Sequence, residues 1–275
     1  MSPPLDVDRA LQDSLIRLLA DAPFRYALTH VDGGAAYGGL TAAQVEAIRS
    51  GDARRIERFA TFLARQFYHE RILQFHKYSR ALARFTGRTP EGLLHTPEFV
   101  NLLPTIILGS RTTARDIARL VQAYLADARG APPYAADLVR YENAQLLTES
   151  GPRPPAATPP RARPQLAVIV NPDAAVLRFA WNLPAIFQPL LQLTVADDLP
   201  AQPPKAEPAE LSLVFARSPR GRVTVLRWTD TVENLTAFLD GERLLSDAID
   251  AAALPPRDGL EIANALLDAG VLITT

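Results

Sequence analysis

The chain has 275 residues, 48% of them apolar, and carries 29 basic against 30 acidic residues for a formal net charge of −1. That composition suits a globular protein with room for two domains, and it excludes a chain drawn to nucleic acid or anionic lipid by bulk charge. Cysteine is absent, which excludes disulfides, thiolate catalysis and Cys-ligated zinc or iron–sulfur sites.

The opening MSPPLDVDRALQDSL lacks a basic region followed by an apolar core, so it does not read as a signal peptide. Apolar runs such as LLPTIILG, 102–109, are too short to span a bilayer. The expectation is a cytoplasmic protein with no membrane partner.

The first part reads as helices. Leu11, Leu15, Leu18 and Leu19 form one apolar stripe that ends before Pro23. Thr41-Ala-Ala-Gln44 is a capping box, and Ser50-Gly51 stops the short helix it opens. Asp52 caps a long helix with apolar Ile56, Phe59, Leu63, Phe67, Ile72, Phe75 and Leu82, expected to run to about residue 86. Thr96-Pro97-Glu98 is a further helix start, with proline at the first position and an acid on the positive end of the dipole. Ile117 to Leu125 mark another helix stopped by Gly130. Tyr134, Leu138, Tyr141 and Leu146 mark the last.

The stretch GPRPPAATPPRARP, 151–164, holds six prolines and three arginines and reads as a linker. The division expected is therefore a helical domain, 1–150, a Pro-rich linker, 151–165, and a second domain, 166–275. There the period changes. Residues 166–170, 176–183, 211–216 and 222–228 read as strands, the last two joined by Arg217-Ser218-Pro219-Arg220-Gly221 as a hairpin loop. A proline cluster within 185–210 reads as a loop or excursion. Helices are expected at about 231–239, 243–252 and 257–269, with Val271-Leu272-Ile273 closing the chain in extended form. The fold class expected is α+β, a helical domain followed by a winged-helix-like domain.

Chemistry is sought first in FYHERILQFHKYSRAL, 67–82. A helical zinc site needs His-Glu-x-x-His, because i and i+4 share a face. Here Leu73 occupies the position four after His69, and His76 lies two turns on, about 10 Å along the axis. No metal site is expected, and the histidines read as polar or interface positions on an amphipathic helix. Residues 49–88 hold ten Lys or Arg against Asp52, Glu57 and Glu70, which reads either as a solvated helix face or as a docking face for an acidic partner. The glycine-rich GGAAYGG, 33–39, lacks the Gly-Lys-Ser/Thr ending that grips phosphate, and reads as a flexible loop. No Gly-x-Ser-x-Gly elbow exists, and His30 and His95 have no evident carboxylate partner. No catalytic residue is assigned.

A winged-helix-like domain also invites a DNA-binding regulator as the alternative reading. Its last helix, however, sets Arg257 against Asp258, Glu261 and Asp268, and residues 151–275 hold 11 basic and 14 acidic residues. Phosphate neutralisation drives DNA affinity, so this element is poorly suited to it. An edge strand that accepts a peptide as an added strand fits better. On the strand Arg222–Trp228, either Val223, Val225 and Arg227 or Thr224, Leu226 and Trp228 face the groove; the second set is favoured, with the valines packed inward. Ile262 and Leu266 of the last helix would line the opposite wall.

The helical stretch FYHERILQFHKYSRAL, LVRYENAQL at 138–146, the hairpin LSLVFARSPRGRVTVLRW and the run from TVENLTAFL to the end together resemble partner proteins of multinuclear non-heme iron oxidative enzymes, the MbnC, TglI and HvfC type. The last domain resembles the RiPP recognition element of ribosomal peptide maturation. The resemblance covers about 50 to 275. It implies a non-catalytic subunit that binds the leader of a ribosomal precursor peptide and presents its cysteine-containing core to an iron-dependent oxidase, as a heterodimer. The iron would belong to the partner, with no cofactor or metal in this chain. Peptide binding is expected at Arg222, Thr224, Leu226, Trp228, Ile262 and Leu266, and partner docking at Arg65, His69, Arg71 and His76.

Overall fold

Helices follow one another through the first half of a computed structural model that describes residues 5–30, 40–126, 128–152, 161–194 and 200–274. GGAAYGG, 33–39, and residues 153–160 of the Pro-rich stretch lie outside the described residues. In order come α1 (Leu5–Ala20), α2 (Ala22–His30), α3 (Ala42–Arg49), α4 (Ala53–Phe75), α5 (Lys77–Thr86), α6 (Pro97–Leu102), α7 (Arg111–Ala126) and α8 (Ala135–Glu149). Short 3-10 turns at Pro90–His95 and Leu103–Thr105 flank α6. The local signals act as read. Thr41 and Gln44 close a reciprocal capping box, Asp52 accepts the Arg55 N–H, and Thr96 accepts that of Phe99.

The second half is mixed. It contains β1 (Ala167–Val170), β2 (Ala175–Trp181), α9 (Leu183–Leu193), β3 (Pro208–Arg217), β4 (Val223–Arg227), α10 (Asp230–Thr236), β5 (Asp240–Leu244), α11 (Leu245–Ala251), α12 (Pro256–Ala269) and β6 (Leu272–Thr274). The strands form two antiparallel sheets, β2-β3-β4 and β5-β1-β6. The class is α+β. The hairpin loop at 217–221 is as expected: the Ser218 N–H donates to the Arg222 carbonyl at 2.8 Å and the Gly221 N–H to that of Ser218 at 2.7 Å.

Three expectations change. The long helix breaks at His76, whose φ of −101° and ψ of 38° leave helical space, so α4 and α5 are separate. Residues 183–193 are helix rather than loop. Pro184 falls in the first turn, where no N–H is needed, and Leu183, Ile186, Leu190 and Leu193 share one buried face. Residues 240–244, assigned in part to a helix, are β5, held to β1 through Ala167 opposite Leu244.

The sheet β2-β3-β4 carries apolar layers on both faces. On one, Phe179, Leu213 and Phe215 pack against Tyr78 and Leu82 of α5, Leu138 and Tyr141 of α8, and Ile186 and Leu190 of α9. On the other, Val214 and Ala216 join Leu245, Ala248 and Ile249 of α11 and Ala263, Leu266 and Leu267 of α12, with Val168 and Leu272 of the second sheet. A third cluster lies within the helical part around Tyr68, Ile72, Phe99, Ile117 and Val121. The described end of the Pro-rich stretch is tied down: the Ala162 N–H donates to Asn264 of α12 at 2.7 Å, and the Pro164 carbonyl accepts the Ser246 N–H at 3.0 Å.

Candidate functional site

Among the described residues, strand β4 pairs with β3 and with no other strand, so it is an edge. Its register sets Leu226 opposite Val214 and Thr224 opposite Ala216. Bonds from the Trp228 N–H to Ser212 and from the Ser218 N–H to Arg222, both 2.8 Å, place the even-numbered residues in hydrogen-bonded pairs with β3. Antiparallel pairing alternates, so the N–H and C=O groups of Val223, Val225 and Arg227 point away from the sheet. The opposite edge is engaged. On β2 the Ala180 N–H donates to Asp137 of α8 at 2.6 Å, and Arg140 donates to the Arg178 carbonyl at 3.2 Å. Two side chains of α8 thus engage one edge of the sheet and leave β4 as the edge with a backbone ladder to offer.

The two faces of β4 meet different helices. Leu226 and Trp228 pack toward the cluster containing α11 and α12, where Leu266 is buried and Ile262 half-buried. Thr224 is on the same side, but its hydroxyl donates to the Ala269 carbonyl at 2.6 Å and lies within reach of the Ala216 carbonyl at 3.1 Å, which ties β4 to the end of α12. Arg222 is exposed at the start of the strand. Val225 and Arg227 are on the other face, where they line a cavity of about 460 Å³ with Tyr141 of α8, Phe187 of α9 and Leu213 of β3. Leu226, Trp228, Ile262 and Leu266 are therefore neighbours in one apolar cluster, in which Leu266 is core rather than surface. The valines are no more inward than this set, since residues 223–226 are all half-buried, and a concavity lies across the strand at Val225.

The residues assigned to docking are divided. Arg65 and His69 are half-buried on α4. Arg71 bonds Glu149 of α8 at 3.4 Å and stands 5.3 Å from the Phe67 ring centroid, so its charge is partly engaged inside the molecule. His76 is 0% exposed, which removes it from any docking surface. The outward stripe of α4 instead presents Arg55, Arg58, Phe59 and Phe62, with Phe59 49% and Phe62 59% exposed.

His76 has another place. Its Nε2 pairs with Asn143 Oδ1 at 2.9 Å, and the Asn143 amide donates to the Ala118 carbonyl at 3.0 Å. Beside it, the buried Glu142 carboxylate accepts the N–H groups of Tyr78 at 2.7 Å and Ser79 at 3.1 Å, together with the Ser79 hydroxyl. These are first-turn donors of α5 that a continuous helix would have satisfied four residues back. Burial pushes the Glu142 carboxyl up to about 8 against the pull of these hydrogen bonds. Two of the quoted sequence stretches, 67–82 and 138–146, thus meet as a polar brace between α4, α5 and α8. A cavity of about 250 Å³ between α5, α7 and α8 reaches Ser79, but its other walls are chiefly apolar, including Leu82, Leu125 and Val139. Among the described residues, no group of three or more His, Asp or Glu is placed to hold a metal ion. No helix among them is long and apolar enough to cross a membrane.

Burial lowers the His76 imidazole to about 4 from 6.5. A group depressed in the folded state stabilises above its unfolded pKa and loses that contribution as pH falls through the folded value. Folding stability is therefore expected to drop by about 3 kcal/mol between pH 6.5 and 4 through this residue, and the His76→Gln variant is expected to lose that slope. Urea denaturation across the window checks it; equal slopes in the two proteins would show that His76 is not the titrating group.

A scan against protein-family models finds no match to this chain, and a search of curated proteins finds none either.

Proposed function

We propose that this chain is the non-catalytic, peptide-presenting subunit of an iron-dependent peptide-modifying oxidase. The observation that carries the reading is the edge strand β4. Three residues of outward-facing backbone lie between α12 on one face and a cavity on the other, while the opposite edge of the sheet is blocked by Asp137 and Arg140. A peptide leader adding there would gain main-chain hydrogen bonds from Val223, Val225 and Arg227, and side-chain contacts from Leu226, Trp228 and Ile262. The β3–β4 hairpin followed by α10, α11 and α12, with β5 between the first two helices, supports a winged-helix-like recognition domain in this role. The oxidase supplies the iron and the chemistry on the precursor's cysteine. The complex forms in the cytoplasm, where the precursor is made.

Docking falls to the helical part. The exposed faces of Arg55, Arg58, Phe59 and Phe62 combine positive charge with aromatic area, as suits a partner surface of acids around an apolar centre. Arg65 and His69 lie along the same helix and extend that face. The Phe59→Glu/Phe62→Glu double variant is expected to weaken oxidase binding at least about tenfold, while stability stays within roughly 0.5 kcal/mol, the usual range for exposed positions.

Duplex DNA is the competing ligand for a domain of this shape. On α12, Arg257 is already paired with Glu261 at 3.1 Å, and Asp258 and Asp268 are exposed on the same helix, which disfavours a phosphate backbone.

Affinity purification of the tagged chain from its native cells, with metal analysis of the eluate, tests the proposal. Support would be an iron-containing protein in one-to-one ratio together with a cysteine-bearing peptide. Elution alone, or with salt-sensitive duplex DNA, would overturn it.

A further inference from the structure

The cavity across β4 from α12 is not part of the groove used above, and its chemistry specifies what the peptide must carry. A residue placed directly opposite Val225 in an added strand has its side chain on the Val225 face. That face opens into the space walled by Tyr141, Phe187, Leu213 and Val225. The walls are rigidly held: Phe187 stacks on Tyr78 with centroids 4.3 Å apart and lies 4.8 Å from Tyr141. At about 460 Å³ the cavity is within the range of small-ligand pockets, about 300–1,000 Å³, and has room for a large side chain.

Charge selects the flanks. From Ser218 to Thr229 the hairpin carries Arg220, Arg222 and Arg227 and no acid. All three arginines are exposed, and none makes an ion pair among the described residues. Glu210, exposed at the lip of the cavity, disfavours an acid in the cavity itself.

We propose that the juxtaposition of the free β4 ladder, the Tyr141/Phe187/Leu213 cavity and the arginines of the hairpin forms a second side-chain pocket, which selects a peptide strand with a large apolar residue opposite Val225 and acidic residues beyond it. The inference rests on peptide addition at β4. It assigns specificity to the face shared with α8 and α9, so that the strand is read on both sides.

The probes are four fluorescein-labelled nine-residue peptides with alternating threonines, an aspartate near each end, and Phe, Leu, Ser or Lys at the centre. Affinity is read by fluorescence anisotropy. The wild-type chain is expected to bind the Phe and Leu peptides about tenfold to a hundredfold more tightly than the Ser peptide, and the Lys peptide least. Ala209 is exposed at the cavity lip, and Ala209→Trp is expected to abolish the preference for Phe over Ser. Val225→Pro removes an outward N–H that β3 does not use, and is expected to abolish binding of every peptide. Amide exchange on the wild type needs no variant: the N–H groups of Val225 and Arg227 are expected to slow when the Phe peptide is added.

The two ideas fail differently. Equal affinity for the Phe and Ser peptides, with Val225 and Arg227 still protected, would overturn the pocket and leave peptide addition standing. Binding without protection at Val225 and Arg227, or no binding of any of the four, would overturn both.

Discussion

Replacing Glu142 by alanine is expected to destabilise the protein by about 3–5 kcal/mol and to lower the melting temperature by roughly 10 °C. The carboxyl group receives the N–H groups of Tyr78 and Ser79 and the Ser79 hydroxyl inside the molecule, where water cannot replace it. Its removal leaves these donors unsatisfied at the start of α5 and opens space against Tyr78 and Tyr141. The isosteric Glu142→Gln keeps an acceptor and is expected to recover more than half of the loss. A variant with alanine that melts within about 2 °C of the wild type would show that α5 does not depend on this brace.

The pH dependence has a defined sign. Glu142 is raised to about 8 from 4.5, so the folded state holds the proton more tightly than the unfolded state. Its contribution is complete below pH 4.5 and is lost as pH rises through 8. Glu142→Gln does not titrate, so its stability relative to wild type is expected to improve as pH rises from 5 to 9. His76 acts in the opposite direction, losing its contribution as pH falls from 6.5 to 4. The two slopes oppose each other between pH 4.5 and 6.5. A double variant is therefore expected to have a flatter profile than either single one.

Gly270→Ala is the second large effect. Gly270 closes α12 with a φ of 77°, and an added Cβ would lie 2.1 Å from the Arg217 carbonyl oxygen and 3.0 Å from the Ser218 Cα. Both are backbone atoms of the β3–β4 hairpin, so relief requires moving α12 away from it. The expected cost is about 4 kcal/mol, the sum of a left-handed backbone and a main-chain collision. Gly221 is the control. It has a φ of 78° but nothing within 4 Å of the added Cβ, and Gly221→Ala is expected to cost only about 1 kcal/mol. The difference between the two isolates the close approach of helix and hairpin. If they cost the same, α12 is not clamped there, and the groove beside β4 loses its fixed wall. Loss of the Thr224 hydroxyl bond to Ala269 is expected to accompany the change at 270 and to weaken peptide binding with it.

Particular residues show why some of this was legible along the chain and some was not. The starts of α3, α4 and α6 could be read from Thr41-Ala-Ala-Gln44, Asp52 and Thr96-Pro97-Glu98, because capping is chemistry within four residues. The hairpin and the alternation of RVTVLRW were legible for the same reason. The break at His76 was not: the freed N–H of Tyr78 is taken up by Glu142, 64 residues further along the chain. A clue lay in α8, where a Glu and an Asn sit among buried Leu138, Tyr141 and Leu146, for a carboxylate and an amide on such a helix must find partners. The docking assignment to His76 failed with the straight helix on which it relied. The helix at 183–193 was hidden by the prolines that follow it at 200, 203, 204 and 208, although the spacing of Leu183, Ile186 and Leu190 carried its period.

By itself the sequence determined the α+β class, the capping signals, the β3–β4 hairpin and the candidate edge strand, since each follows from propensity, periodicity and hydrogen bonding among near neighbours. Only the tertiary structure decided that β4 rather than β2 keeps its backbone free, because Asp137 and Arg140 reach β2 from α8. It likewise decided that His76 turns inward, that α12 is held within contact distance of the hairpin by a glycine, and that a cavity opens beside Val225. Each of these is a meeting of residues far apart in the chain, whose cost or gain is set by distance and burial once the helices and sheets have packed.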